Sequence, residues 1–303
     1  MKPAPFTYHR PGSTGEAVAM LVELGRDEQG AKVLAGGQSL VPLMSMRLAA
    51  PGHLVDINHL PGLATVEVSG EVVRVGALAR HRQVELDESA YDAVPLLRQA
   101  LENVAHPTIR NRGTTVGSLV HADPAAEMTA VLALLGGSVE LVGPGGTRQV
   151  AADVFFTGPM SSATSDDELA VAAVFPRPAS GSGSAFVELA RRHGDYAMCG
   201  VAAVVTVDAG LAVTAAKVGL ICVGDGPVVV DLEPAVRGGS LDPESLRGLV
   251  DAAIEPEADI HATADYRRHL ALVLAGRAVD NARDHARAGS GTAADAVSSR
   301  GAA

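Results

Sequence analysis

Two glycine-rich strings, Ala35-Gly36-Gly37-Gln38-Ser39 and Thr114-Thr115-Val116-Gly117-Ser118, constrain this chain more than any other feature. The first follows a short strand pattern, Lys32-Val33-Leu34, and precedes Leu40 to Leu48, which reads as a short helix. Glycines at a strand end let backbone N–H groups approach an anion closely, because no Cβ intervenes. Ser39 adds a hydroxyl donor, and a helix start after it adds free N–H groups and a positive end. In the second string, which Gly113 precedes, Thr114 and Ser118 supply hydroxyls, so the two loops could clamp one diphosphate from both sides. Taken singly, each also reads as a plain turn, since glycine punctuates loops generally. Neither is a P-loop, and no G-x-G-x-x-G stands between a strand and a helix, which argues against a Rossmann site.

Around these strings the N-terminal third alternates strand and helix. Ser13 with Glu16 reads as a capping box. Ala17, Val18, Met20, Leu21 and Leu24 then follow at helical spacing, with Gly25 as a stop. Leu54 to Ile57 is a strand, and Val66 to Val75 alternates about Ser69-Gly70 as a hairpin. Leu96, Leu97, Ala100, Leu101 and Val104 share a helix face, and His106 to Gly117 reads as loop. Asp123 as N-cap, Pro124 at the first position and Gly136-Gly137 at the end predict the next helix. Strands at 138–142 and 169–175 close this region. Pro176 to Ser184 reads as a linker. Beyond it, 201–207, 211–216 and 218–223 read as strands, Asp242-Pro243-Glu244 opens a helix, and Thr263 to His285 forms a long last one. From Ala286 a disordered tail is expected.

A length of 303 residues favours about two domains, and 47% apolar with 19% charged residues fits a globular protein. A net charge of -11 argues against nucleic-acid binding, which needs a basic surface. No apolar run reaches the roughly 18–20 residues of a membrane span, and the start carries no secretory signal. Cys199 and Cys222 form no CxxC or Cys/His set, so they read as two buried or semi-buried thiols in a reducing cytoplasm. The histidines are scattered without a ligand signature, so a metal site on this chain is not expected.

Lys32-Val33-Leu34-Ala35-Gly36-Gly37-Gln38-Ser39-Leu40 resembles the first FAD motif of the medium subunits of carbon monoxide dehydrogenase and related xanthine-dehydrogenase-type molybdenum hydroxylases. The stretch from Arg110 to Glu127 is similar to their second motif, and Glu188 to Ala197 to the segment opening their C-terminal domain. The three occur in the family's order and spacing. The resemblance implies an α+β fold: a two-subdomain FAD-binding domain of the PCMH (vanillyl-alcohol-oxidase-like) type, then a smaller α+β domain with an antiparallel sheet and helices. The division expected is 1–176 (subdomains about 1–60 and 61–176), linker 177–184, C-terminal domain 185–287 and tail 288–303.

The same resemblance implies roles for particular residues. The first loop with Thr114, Gly117 and Ser118 would hold the FAD pyrophosphate. His121, Asp123 and Glu127 would lie near the ribityl and ribose groups, although Asp123 is equally suited to cap its helix. Tyr196, in the stretch with Asp195, would cover one face of the isoalloxazine ring; its other reading is a partly buried tyrosine between strands. Val104 and Val171 would make apolar contacts to the flavin. The family usually has Ile-Gly where Thr115-Val116 stand. Either the backbone at Val116 is ordinary β and tolerates the Cβ, or FAD binds more weakly. Arg110 and Arg112 could neutralise the diphosphate, anchor the loop or meet a partner, and the basic cluster Arg191-Arg192-His193 could equally be a solvated turn.

The implied function is electron transfer. Substrate would be hydroxylated at a molybdenum cofactor on a large subunit, and electrons would pass through 2Fe-2S clusters on a small subunit to FAD here. From FAD they would reach NAD, a quinone or oxygen, in a cytoplasmic dimer of heterotrimers. This chain would then carry no acid/base catalyst of its own. Two other readings stay open: a self-contained flavin oxidase or reductase, for which no acid, base or attachment residue is evident, and an assembly subunit that has lost flavin, motivated by Val116.

Overall fold

The computed structural model describes residues 2–300, with side chains described up to residue 289. They form two compact units that interleave along the chain: the residues up to Ala93, Ala105–Asp123 and Gly136–Pro176 in the first, and Val94–Val104, Pro124–Leu135 and the described residues from Arg177 onward in the second.

The first unit opens with a parallel sheet of β1 (Thr7–His9), β2 (Ala31–Leu34) and β3 (His53–Asp56) in the order β1-β3-β2. Helix α1 (Thr14–Leu24) joins β1 to β2; Ser13 accepts from the Glu16 N–H at 3.1 Å, while the Glu16 carboxylate accepts from the Gly12 N–H at 2.7 Å. Gly25 ends α1 in a right-handed conformation, so no left-handed stop is used there. Helix α2 (Leu40–Ser45) is shorter than expected. Arg47, at φ 60°, donates to Met44 O while Leu48 donates to Leu43 O, a Schellman closure that halts the helix before Leu48.

The second sheet is antiparallel. It comprises β4 (Val66–Ser69), β5 (Val72–Gly76), β6 (Ser138–Gly143), β7 (Gly146–Ala151) and, between β5 and β6, β10 (Leu169–Pro176). Short helices α3 (His81–Leu86) and α4 (Glu88–Ala93) follow β5, and the hairpin β8 (Phe156–Gly158) and β9 (Ser161–Ser162) with α9 (Ala152–Phe155) precedes β10. Leu21, Ile57, Leu119, Leu141, Phe155, Leu169 and Phe175 are fully buried. The expected loop 106–117 instead holds α6 (Pro107–Arg110) and the start of α7 (Thr115–His121). Thr115, Val116 and Gly117 are poor helix formers. Burial of Thr115, Val116 and Leu119 overrides that propensity.

In the second unit, β11 (Ser182–Ala190), β12 (Ala197–Val207), β13 (Val213–Ile221) and β14 (Val228–Asp231) form one antiparallel sheet in chain order. The two strands expected at 211–216 and 218–223 are one, because Lys217 simply takes an outward position in a continuous pleat. Ser182 to Ser184 pair with Thr206 to Val204, so the Pro/Gly/Ser-rich stretch ends in strand. A turn η1 (Glu233–Ala235) and the pair β15 (Val236–Arg237) and β16 (Ser240–Leu241) lead to α10 (Pro243–Ala253), where Asp242 caps the Ser245 N–H at 2.8 Å. Helix α11 (Ala264–Arg300) buries Leu270, Ala271, Leu274, Ala275, Ala278, Val279 and Ala282 in one core with Cys199, Val201, Ala203 and Val205 of β12. It runs on to Arg300 where a tail was expected from Ala286, as its alanine content favours; residues 301–303 lie outside those described.

Helix α5 (Pro95–Leu101) and helix α8 (Glu127–Leu134) belong to this unit. Helix α8 starts three residues later than expected: its N-cap is Ala126, so Asp123 is not a cap and Pro124 is not at the first position. The Pro124 carbonyl accepts from the Cys222 N–H at 2.9 Å and is not available to open a helix. Among the described residues no helix is long and apolar enough to cross a membrane.

Candidate functional site

The first glycine string leaves the end of β2 with its carbonyls occupied. Ala35 O accepts from Asn58 Nδ2 at 2.8 Å, Gly36 O from Gln38 Nε2 at 3.0 Å, and Gly37 O from the Val41 N–H at 3.0 Å. In a trans peptide the N–H points opposite to the C=O. The N–H groups of Gly36, Gly37 and Gln38 are therefore all turned away from these partners, and none has an acceptor among the described residues. Consecutive N–H groups turned outward form an anion-binding concavity. Gly37 sits at φ +71°, a conformation a Cβ would strain. Ser39 makes no capping hydrogen bond, and its hydroxyl stays available.

Gly36 serves a purpose the sequence did not reveal. A Cβ there would run into the backbone of Arg112 and Gly113. The first loop thus lies directly on the residues that lead into the second, and the missing side chain is required by protein against protein. Two side chains outside both strings tie this seam: Arg80 donates from Nη1 to Arg112 O and from Nη2 to Asn58 Oδ1, each at 2.7 Å. Asn58 donates in turn to Ala35 O and to Asp56 Oδ1, and Asp56 also accepts from the Tyr8 hydroxyl. Burial opposes charge on Asp56, yet the bonds from Tyr8 and Asn58 outweigh it and hold its carboxyl below the usual range.

The second string is the first turn of α7. Thr114 is its N-cap, accepting from the Gly117 N–H at 3.2 Å, so this hydroxyl oxygen already serves the helix. A Cβ on Gly117 would sit 2.5 Å from Thr114 Oγ1. Val116 is buried at 2% exposure within the helix and is not among the residues with positive φ. The Val116 backbone is therefore helical, not β, and its Cβ points into the core. Beneath the string lies His81, whose N–H donates to Gly113 O at 2.9 Å and whose Nδ1 is 3.2 Å from Thr115 Oγ1. Burial, reinforced by the charge of Arg110, drives the His81 pKa down to about 4, so the ring is neutral. Arg110 anchors the loop through a buried ion pair, Nε to Glu85 Oε2 at 2.8 Å. Arg112 is exposed.

Other expected residues fall as follows. Lys32 lies at the surface, 3.5 Å from Asp166. Val33, Leu34 and Leu40 are half-buried beside the first loop, and Leu34 Cδ1 lies 3.1 Å from where a Gly37 Cβ would be. Ser118 is half-buried one turn into α7. His121 is half-buried with its pKa lowered by burial, an effect partly offset by Asp123. Between them Ala122 takes φ 52°, a strained left-handed conformation for a residue with a Cβ, and it ends α7. Val171 is buried on β10.

Val104, Glu127, Asp195 and Tyr196 belong to the second unit. Glu127 is buried and its charge, after burial itself, helps push the Glu188 carboxyl up to about 8. Tyr196 is 69% exposed in the turn before β12, which removes the reading of a semi-buried tyrosine between strands. Arg191 and Arg192 are also exposed, and with Asp195 they line a cavity of about 270 Å³. Cys199 and Cys222 are buried thiols outside any disulfide, with burial raising the Cys199 thiol to about 12.

This architecture defines an α+β protein with a two-loop seam suited to the diphosphate of a dinucleotide. Residues 4–178 match the family model for the FAD binding domain in molybdopterin dehydrogenase, and residues 184–282 that for the CO dehydrogenase flavoprotein C-terminal domain. By sequence the chain is 36% identical to 6-hydroxypseudooxynicotine dehydrogenase complex subunit alpha of Paenarthrobacter nicotinovorans, over 95% of this chain and 97% of the relative. It is 37% identical to the carbon monoxide dehydrogenase medium chain of Afipia carboxidovorans, over 95% of this chain and 100% of that one. A solved carbon monoxide dehydrogenase from Hydrogenophaga pseudoflava, lacking the Mo-pyranopterin moiety of its cofactor, superposes with a TM-score of 0.88 at 35% identity, covering 94% and 99% of the two chains. The chain belongs to the family of FAD-binding medium subunits of the molybdenum hydroxylases, and is an oxidoreductase subunit.

Proposed function

We propose that this chain is the FAD-carrying electron-transfer subunit of a heterotrimeric molybdenum hydroxylase. Its partners are a large subunit with the molybdenum cofactor and a small subunit with 2Fe-2S clusters, assembled as a dimer of heterotrimers in the cytoplasm. When bound, FAD supplies the redox chemistry that links the clusters to an external acceptor, NAD, a quinone or oxygen. The observation that carries this reading is the first loop: three consecutive N–H groups turned outward, with Gly36 in close backbone contact with Arg112 and Gly113, which lead into the second string.

The chain's own residues bind and orient. The N–H groups of Gly36, Gly37 and Gln38, with the hydroxyls of Ser39 and Ser118, grip the diphosphate. His121, Asp123 and Glu127 fall along the ribityl and ribose groups, Tyr196 on one face of the ring, and Val104 and Val171 on its apolar edge. Lys32, Val33, Leu34, Ala35 and Leu40 shape the strand end, and Thr114, Val116 and Gly117 the facing turn. Asp195 adjoins Tyr196 in the same turn. No acid or base is assigned to substrate, whose identity is decided on the large subunit.

The test is purification of the native complex. The expected result is one FAD per copy of this chain, two further subunits, and flavin bleaching on addition of substrate. A colourless chain would end the reading, and substrate turnover by the isolated yellow chain would replace it with a self-contained oxidase.

A further inference from the structure

Arg80 reaches into the seam between the glycine loops. Its guanidinium spends Nη1 on Arg112 O and Nη2 on Asn58 Oδ1, both neutral acceptors. Elsewhere in the same unit the arginines that are buried or half-buried each meet a carboxylate: Arg74 meets Glu140 at 2.8 Å, Arg82 meets Glu85 at 2.5 Å and Arg110 meets Glu85 at 2.8 Å. Arg80 has no ion pair among the described residues. The carboxylate that acts on it, Asp56, is engaged by Tyr8 and Asn58. Burial and the charge of Arg112 both oppose its protonation, but a guanidinium stays charged regardless. A half-buried cation beside a second cation, in a chain of net charge -11, is a position that an anion would relieve.

We propose that Arg80 is a binding residue for the diphosphate of the flavin nucleotide, tethered in the loop seam by Asn58 and supplying the seam's uncompensated positive charge. The inference rests on the FAD reading above. Asn58 has a positioning role: its bond to Ala35 O turns the Gly36 N–H outward, and its bond to Arg80 sets where the charge sits. Neither residue lies in a glycine string, and nothing in the sequence motifs singles them out.

The test uses the full complex stripped of flavin, with FAD rebinding followed by flavin fluorescence across a series of salt concentrations. Arg80→Gln is expected to weaken FAD about tenfold or more and to flatten the salt dependence, because one screened charge contact is gone. Arg80→Lys, which keeps the charge and loses the fork, should lose a few-fold in affinity and keep the wild-type salt dependence. Asn58→Ala should behave like Arg80→Lys. If Arg80→Gln prevents assembly, Asn58→Asp reads the same quantity by setting a carboxylate against the cation, and affinity and salt dependence should fall together. Unchanged FAD affinity in Arg80→Gln, or equal salt dependence in the Gln and Lys variants, overturns the proposal and leaves the FAD reading intact. Failure of the wild-type chain to take up FAD would instead remove the reading beneath it.

Discussion

The two glycine strings are alike on paper and unlike in the structure. In the first, each carbonyl from Ala35 to Gly37 is occupied, and the backbone is aimed so that its N–H groups face outward. In the second, the chain has already become helix: Thr114 caps the turn, and the Gly117 N–H is consumed by that cap. One loop presents a row of backbone donors, whereas the other presents a helix turn with the Ser118 hydroxyl. Glycine is needed in both, but for close backbone approach and φ +71° in the first and to clear the Thr114 hydroxyl in the second.

The sharpest way to break this contrast is to close the seam. Gly36→Ala places a Cβ into the Arg112–Gly113 backbone, which cannot yield as a flexible side chain would. The loops must separate, and we expect FAD retention to fall more than a hundredfold, with a loss of roughly 3 kcal/mol or more in stability. Flavin absorbance per protein and thermal unfolding of the same sample measure both. Wild-type retention would show that the two loops do not grip one ligand together.

Val116→Gly is next in size and acts on the second loop alone. Family comparison of the motif suggested that a glycine here would relieve crowding. In the structure Val116 is buried in a helix and its backbone needs no positive φ, so a glycine there relieves no backbone strain. Removing the side chain opens a core cavity and adds a flexible residue to the first turn, at a cost of about 2–4 kcal/mol. Chemical denaturation should report that loss. A more stable protein would mean that the Val116 side chain is not packed in the core at the start of α7.

These two positions mark what could and could not be read in advance. The Ser13 cap, the strand into Ala35, the Ser69-Gly70 hairpin and the Asp242 cap follow from local chemistry, and all are found, although the Glu16 carboxylate closes on the Gly12 N–H rather than that of Ser13. The start of α7 was hidden because Thr115, Val116 and Gly117 are weak helix formers, held there only by burial. Asp123-Pro124 imitated a helix start, but a hydrogen bond from Cys222, nearly a hundred positions along the chain, holds Pro124 outside the helix. The Asn58–Arg80 tether was illegible for the same reason: residues 58, 80 and 112 meet only after folding.

The smallest expected effect separates the loops by pH. His81 supports the second loop as a neutral ring, with its pKa lowered from 6.5 to about 4 by burial and then by Arg110. A histidine depressed in the fold contributes stability that is full above its unfolded pKa and is lost as pH falls from about 6.5 toward 4. Between pH 7 and 5.5 this amounts to about 1 kcal/mol. The first loop leans on Asp56, whose carboxyl is lowered too, so its support is lost only below the ordinary carboxylate range. Mild acid should therefore loosen the α7 loop first. Glu188 in the second unit, raised to about 8, works in the opposite sense and strengthens its unit as pH falls through the same range. The His81 share is consequently read as a difference: unfolding free energy against pH for wild type minus that for His81→Gln. A flat difference between pH 7 and 5.5 would mean that His81 is not held neutral, and that the second loop is no more acid-sensitive than the first.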